Sequence, residues 1–174
     1  MEKIEKQKCP LCGDTSLTLL EQEEDIPFFG KTYLFSMNCS SCGYAKSDVE
    51  AEEHKDPCSI TFTIEKESDM KVRVVKSSEA SVKIPQMRMS VTPGPASEGY
   101  VSNIEGVLNR FQKILEDQRD LGEEDEDKKA AKNLLKKLWK VKLGDMPLKI
   151  IIDDPSGNSA IISDKAVVTK LRAK

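Results

Sequence analysis

Between Cys58 and Val91 the apolar residues recur at every second position. Ile60, Phe62 and Ile64 alternate with Thr61, Thr63 and Glu65, and Val72 and Val74 flank Arg73. A period of two sends alternate side chains to one face, so each run predicts a strand with one buried side. Ser77-Ser78 ends the second run; Ala80, Val82 and Ile84 predict a third strand, and Met87, Met89 and Val91 a fourth that stops at Pro93-Gly94-Pro95. Short strands at even spacing predict a sandwich or a β-helix-like barrel.

The period then lengthens. Ser102-Asn103-Ile104-Glu105 has the form of a capping box, with Ser102 at the N-cap and Glu105 reaching back. Ile104, Val107, Leu108, Phe111, Ile114 and Leu115 fall on one helical face, and the helix is expected to run to about Asp117 and end before Gly122. A second helix follows a block of acids from Glu123 to Asp127, with lysines from Lys128 to Lys142 toward its end, an order that suits the helix dipole. Its apolar stripe is Ala131, Leu134, Leu135 and Leu138, flanked by Trp139, with Gly144 as the stop. Alternation returns at Leu148 to Ile152 and Ala160 to Ile162, so the two helices read as a hairpin inserted between strands. The intervening Asp153-Asp154-Pro155-Ser156-Gly157-Asn158-Ser159 is dense in turn formers.

The N-terminal third reads differently. A short run from Ser16 to Glu24, a turn at Ile26-Pro27-Phe28-Phe29-Gly30, a return strand from Lys31 to Met37 and a third strand from Tyr44 to Val49 predict a small β unit. Polar residues from Glu50 to Pro57, His54 among them, read as a linker. The expected organisation is therefore a ribbon over 1–50, a linker over 51–58, and a β domain over 59–174 carrying the αα-hairpin at about 102–144. The fold class is mainly β with an inserted helical hairpin (α+β).

Composition narrows the chemistry. Charged residues make up 33% and aromatics 5%, so aliphatic side chains must carry the core. No stretch approaches the ~18 apolar residues of a membrane helix, and the charged start, Met1 to Lys6, lacks a secretory pattern. A cytoplasmic protein is expected. Residues 1–58 carry 12 Asp/Glu and 6 Lys, a balance of -6, and the remainder carries 18 against 21, a balance of +3. An acidic ribbon lacks the basic footprint of a nucleic-acid-binding module.

Five cysteines, an odd number, point to thiolate-metal chemistry rather than a disulfide framework. Cys9-Pro10-Leu11-Cys12-Gly13 and Cys39-Ser40-Ser41-Cys42-Gly43 each offer two thiolates from one tight turn. Two such halves complete a tetrahedral zinc site, with Cys9, Cys12, Cys39 and Cys42 as ligands of one structural Zn2+. A redox dithiol would need one pair in a βαβ setting, which the pattern lacks. Zinc would supply about 10 to 16 kcal/mol, as in small zinc-finger peptides, to a unit too small for its own core.

Cys58, the odd thiol, opens an alternating apolar run and is expected to be buried and inert. His54 reads as a solvated linker residue. Phe28 and Phe29 either plug the underside of the ribbon or form a contact point for a partner protein. Lys132, Lys136 and Lys140 form either a solvated face or a docking surface for an acidic protein or RNA. Asp153 and Asp154 read as turn residues; a metal or acid-base role lacks a third ligand. No phosphate-binding glycine loop or activated nucleophile accompanies the closed four-thiolate site, so an enzyme is not expected.

The sequence resembles the ZPR-type zinc-finger family. The resemblance is carried by both cysteine pairs, Val74-Val75-Lys76-Ser77 with Ile84-Pro85, Pro93-Gly94, Ile104-Glu105-Gly106-Val107-Leu108, and the 153–159 turn. It implies a four-cysteine zinc ribbon followed by a double-stranded β-helix, or jelly-roll-like, domain with a helical hairpin. Eukaryotic relatives carry two such modules in tandem; this chain has one, like archaeal relatives. Because family members bind translation elongation factor 1-alpha, the resemblance implies an adaptor or folding factor for it. The alternative is a nucleic-acid-binding zinc ribbon of the transcription or translation machinery.

Overall fold

A computed structural model describes residues 1–26, 30–52 and 55–171. Its first sheet is a four-stranded antiparallel ribbon in the order β1-β2-β3-β4, made of Glu2–Gln7, Leu17–Ile26, Gly30–Cys39 and Ala45–Ala51. The first of these strands lies in the charged N-terminus, outside the runs from which strands are expected. All six of its residues are exposed, so backbone pairing to β2, rather than burial, makes it a strand. The register breaks between Ile4 and Gln7, where Lys6 takes a positive φ of 58°.

Past the linker two further sheets share one core. The five-stranded sheet has the order β12-β5-β10-β7-β8: Val167–Lys170, Cys58–Ile64, Leu148–Asp154, Ser81–Ile84 and Met89–Val91. The three-stranded sheet is β11-β6-β9, from Ala160–Ile161, Arg73–Lys76 and Tyr100–Asn103. Burial alternates strictly along β5, with Ile60, Phe62 and Ile64 inward, and Ile150 and Ile152 of β10 lie inward beside them. Val74 of β6 and Ile161 of β11 close the core from the second sheet. Met87, expected to open the fourth strand, instead ends a 3-10 turn over Pro85–Met87, since proline at its first position favours helical φ.

The hairpin is α1, Ile104–Leu121, and α2, Asp125–Lys142. Asn103, not Ser102, is the N-cap of α1: its side-chain oxygen accepts from the Gly106 amide at 2.8 Å. The expected capping box therefore does not form: with Asn103 as N-cap the N3 position falls on Gly106, which has no side chain, and Glu105 is one residue too early to reach back. Ile104, Val107, Leu108, Phe111 and Leu115 enter the core, whereas Ile114 is exposed at the edge of the stripe. In α2, Ala131, Leu135, Leu138 and Val141 are buried, Leu134 is half-buried, and Trp139 stands 61% exposed. No helix among the described residues is long and apolar enough to cross a membrane.

Ribbon and jelly roll are in contact. Val49 of β4 and Val75 of β6 form a buried pair, with Leu34 and Ala51 packed against it. The Asp48 carboxylate accepts from the Gly99 amide at 2.7 Å, and Lys46 pairs with Glu98 at 3.3 Å. A Cβ on Gly99 would meet the Val49 carbonyl oxygen at 2.5 Å, so only glycine permits this approach.

Candidate metal centre

Each cysteine pair sits in the same backbone turn. The Gly13 amide donates to the Cys9 carbonyl at 3.0 Å, and the Gly43 amide to the Cys39 carbonyl at 3.1 Å. Gly13 and Gly43 have φ of 75° and 74°, the left-handed region that a side chain resists. The Cys9 amide donates to Asp14 and the Cys39 amide to Tyr44, both at 2.8 Å, which closes each knuckle. The two turns are thus near copies, brought together by the pairing of Leu17 with Cys39 at the open end of the β2–β3 hairpin.

The four Sγ atoms lie within 4.8 Å of one another, and Cys9–Cys42 and Cys12–Cys39 are both 3.8 Å apart. Zinc–thiolate bonds of about 2.3 Å at tetrahedral angles require sulfurs about 3.8 Å apart, so the donor set fits zinc. Cys9 and Cys39 are buried against Leu17, with Leu19, Met37 and Tyr44 around them, while Cys12 and Cys42 face solvent.

Electrostatics within the cluster are uneven. A hydrogen bond from the Ser16 hydroxyl at 3.2 Å, helped by the Cys42 and Ser41 amides, lowers the Cys39 thiol to about 6. The Tyr44 amide favours the Cys42 thiolate, but desolvation and the crowding of the other cysteines outweigh it and push Cys42 up to about 12. Cys12 is raised by the same opposition, the Asp14 amide pulling it down. One sulfur, that of Cys39, is therefore prepared as a thiolate while Cys12 and Cys42 resist further negative charge. A dication supplies the missing positive charge and holds all four as thiolates. With four sulfur donors no position is left for water, which makes the site structural.

A closed four-thiolate ribbon in contact with a jelly roll that carries a helical hairpin defines a zinc-finger protein of two-part architecture. The chain belongs to the ZPR1 family: its zinc-finger domain matches residues 3–55 and its jelly-roll domain residues 68–172. An uncharacterized ZPR1-like protein of Methanocaldococcus jannaschii is 39% identical over 94% of this chain and 83% of its own length. One from Pyrococcus horikoshii is 38% identical over 98% of this chain and 78% of its own. The zinc finger chaperone zpr1 of Schizosaccharomyces pombe is 31% identical over 88% of this chain, a match that spans 33% of the yeast protein.

The remaining candidate residues are placed as follows. Phe28, Phe29 and His54 lie outside the described residues. Lys132, Lys136 and Lys140 are exposed along α2. Cys58 is buried at the start of β5, and burial, then the nearby Asp154 and Asp153, pushes its thiol up, away from reactivity. The four cysteines are the only metal-ligand cluster among the described residues, and the 153–159 turn is not part of one. Instead Asp154, fully buried, accepts from the Ser156 amide and hydroxyl at 2.8 and 2.7 Å and from the Ser159 amide at 2.6 Å. The knotted turn seats the linker: the Lys55 amide donates to Ser156 at 2.9 Å. Sequence reasoning missed Ser16 and the bond from Ser41 to Asp14 that ties the knuckles together. No spacing rule announces either, because both depend on how the two turns face each other.

Proposed function

We propose that this chain is a non-enzymatic, cytoplasmic protein-binding factor that assists the folding of translation elongation factor 1-alpha. The observation that carries this reading is its 31% identity, over 88% of its length, to a fission-yeast protein named a zinc finger chaperone. The metal centre supports it by what it leaves out: four thiolates fill the tetrahedron and fix shape instead of activating water. Cys9, Cys12, Cys39 and Cys42 hold the ion, and the ribbon and the lysine face of α2, Lys132, Lys136 and Lys140 included, are the surfaces offered to a partner. The elongation factor itself is what the family resemblance implies.

The test mixes the purified protein with its cognate elongation factor at micromolar concentration and moderate salt. Association and a raised refolding yield are expected. Absence of both refutes the proposal. Steep salt-dependent RNA binding, lost when the α2 lysines are neutralised, would favour a nucleic-acid role in its place.

A further inference from the structure

Two cations lie against one aromatic ring, away from the metal centre. Lys76 of β6 is only 5% exposed, and its Nζ donates to the Ser77 carbonyl at 2.9 Å. That nitrogen lies 5.6 Å from the centroid of the Tyr100 ring, and the Arg110 guanidinium of α1 lies 4.0 Å from the same centroid. Burial holds the Lys76 amine below its ordinary value and Arg110 adds to this, while Asp154 and, more weakly, Asp48 work against it from a distance. Among the described residues neither cation forms an ion pair, and Glu98, the acid in the adjoining wall, is engaged by Lys46 at 3.3 Å.

Both cations line a cleft of about 350 Å³ where the ribbon, the turn before β9 and α1 come together. Its apolar wall includes Val107, Val91 and Ile114, and the last two remain 38% and 46% exposed. A buried lysine beside an arginine, with Asp154 and Asp48 acting on it only through space, gains from an anion that pairs with it directly. The planar fork of an arginine matches the two oxygens of a carboxylate. Exposed aliphatic walls beside the cations would stay wet around a bare inorganic anion but would be covered by a carboxylate attached to an apolar neighbour.

We propose that this cleft binds an acidic polypeptide segment, with a carboxylate between Lys76 and Arg110 and an adjoining aliphatic side chain against Val91, Val107 and Ile114. The site deepens the protein-binding reading above and rests on it for the source of the segment. The cleft takes a short anchor, about two residues long, rather than a folded surface.

The full zinc-loaded chain, labelled with 15N, is titrated with the blocked peptide acetyl-Leu-Glu-Leu-amide, with its Gln counterpart and with inorganic phosphate. Amide shifts centred on Gly99, Tyr100 and Arg110 are expected for the Glu peptide, saturating in the millimolar range. Binding falls about tenfold for the Gln peptide and about tenfold for Arg110→Gln. Arg110 is exposed, so a spectrum unchanged outside the cleft verifies that this variant folds. Equal binding of the two peptides, phosphate reproducing the same shifts, or no shifts at these amides would each overturn the proposal. So would concentration-dependent loss of the same signals before peptide is added, which would mark the acidic 123–127 tip of a second copy as the occupant. Failure here leaves the elongation-factor refolding assay standing; loss of refolding activity with peptide binding retained would remove that reading alone.

Discussion

Replacing Asp154 by Asn changes one atom at a fully buried position and is expected to cost about 3 kcal/mol. In the native turn two carboxylate oxygens receive three donors: the Ser156 amide and hydroxyl on one, the Ser159 amide on the other. Asparagine can present its carbonyl to only one of these groups and turns an NH2 toward the other. Facing the Ser159 amide, that NH2 leaves a buried N–H without an acceptor, a cost of about 1 to 3 kcal/mol. The bonds that remain pass from charge-assisted to neutral and weaken by roughly half. Burial raises the Asp154 carboxyl, but bonds from Ser159 and Ser156 outweigh it, so the group lies below its ordinary 3.8. A depressed folded value contributes stability that is full above the unfolded value and is lost as pH falls through the folded one. Urea unfolding followed by circular dichroism should therefore show the full gap between wild type and Asp154→Asn at pH 7. The gap should narrow as pH drops below about 4. A loss under about 1 kcal/mol at pH 7, or a gap indifferent to acid, would refute the assignment of this turn as a charge-stabilised knot.

Three other outcomes follow from the same geometry. A Cys39→Ser/Cys42→Ser variant should lose its zinc and unfold the ribbon while the jelly roll stays largely intact, read by elemental analysis and by amide spectra; unchanged zinc content would contradict the ligand set. Gly99→Ala would set a methyl 2.5 Å from the Val49 carbonyl oxygen and 3.1 Å from that of Lys76, both backbone atoms. It should cost about 1 to 3 kcal/mol and loosen the ribbon, seen as faster proteolysis in the linker. Asn103→Ala should cost about 1 kcal/mol as a lost N-cap while Ser102→Ala leaves the helix start intact, a contrast thermal unfolding can resolve.

Legibility in the sequence tracked burial. β5, β10 and α1 each present a one-sided apolar face to the core, so their periods announce them. β1 and β12 are exposed throughout and exist through backbone pairing at sheet edges, which leaves no period to read. β9 is four residues long and lies between a Pro- and Gly-rich turn and the helix, where neither pattern has room to repeat. The choice between Ser102 and Asn103 as cap depended on which backbone turned first, and both side chains can accept. The zinc ligands were legible because a knuckle is local. Lys76, Tyr100 and Arg110 come from β6, β9 and α1, so only the tertiary fold brings them together.

The order of the five-stranded sheet also sets a schedule for synthesis. β5 lies between β10 and β12, and its Ser59 bonds to Asp153 and Thr169 span 94 and 110 positions of chain. Every strand of the ribbon, by contrast, pairs with its neighbour in sequence. As the chain emerges, the ribbon can fold and take its metal at once. Both edges of β5 stay open until β10 has been made, and one of them until β12 follows. During that interval the metal-locked ribbon is a sheet with every one of its own strands already in place, and any truncation that removes β12 leaves β5 with a permanently open edge.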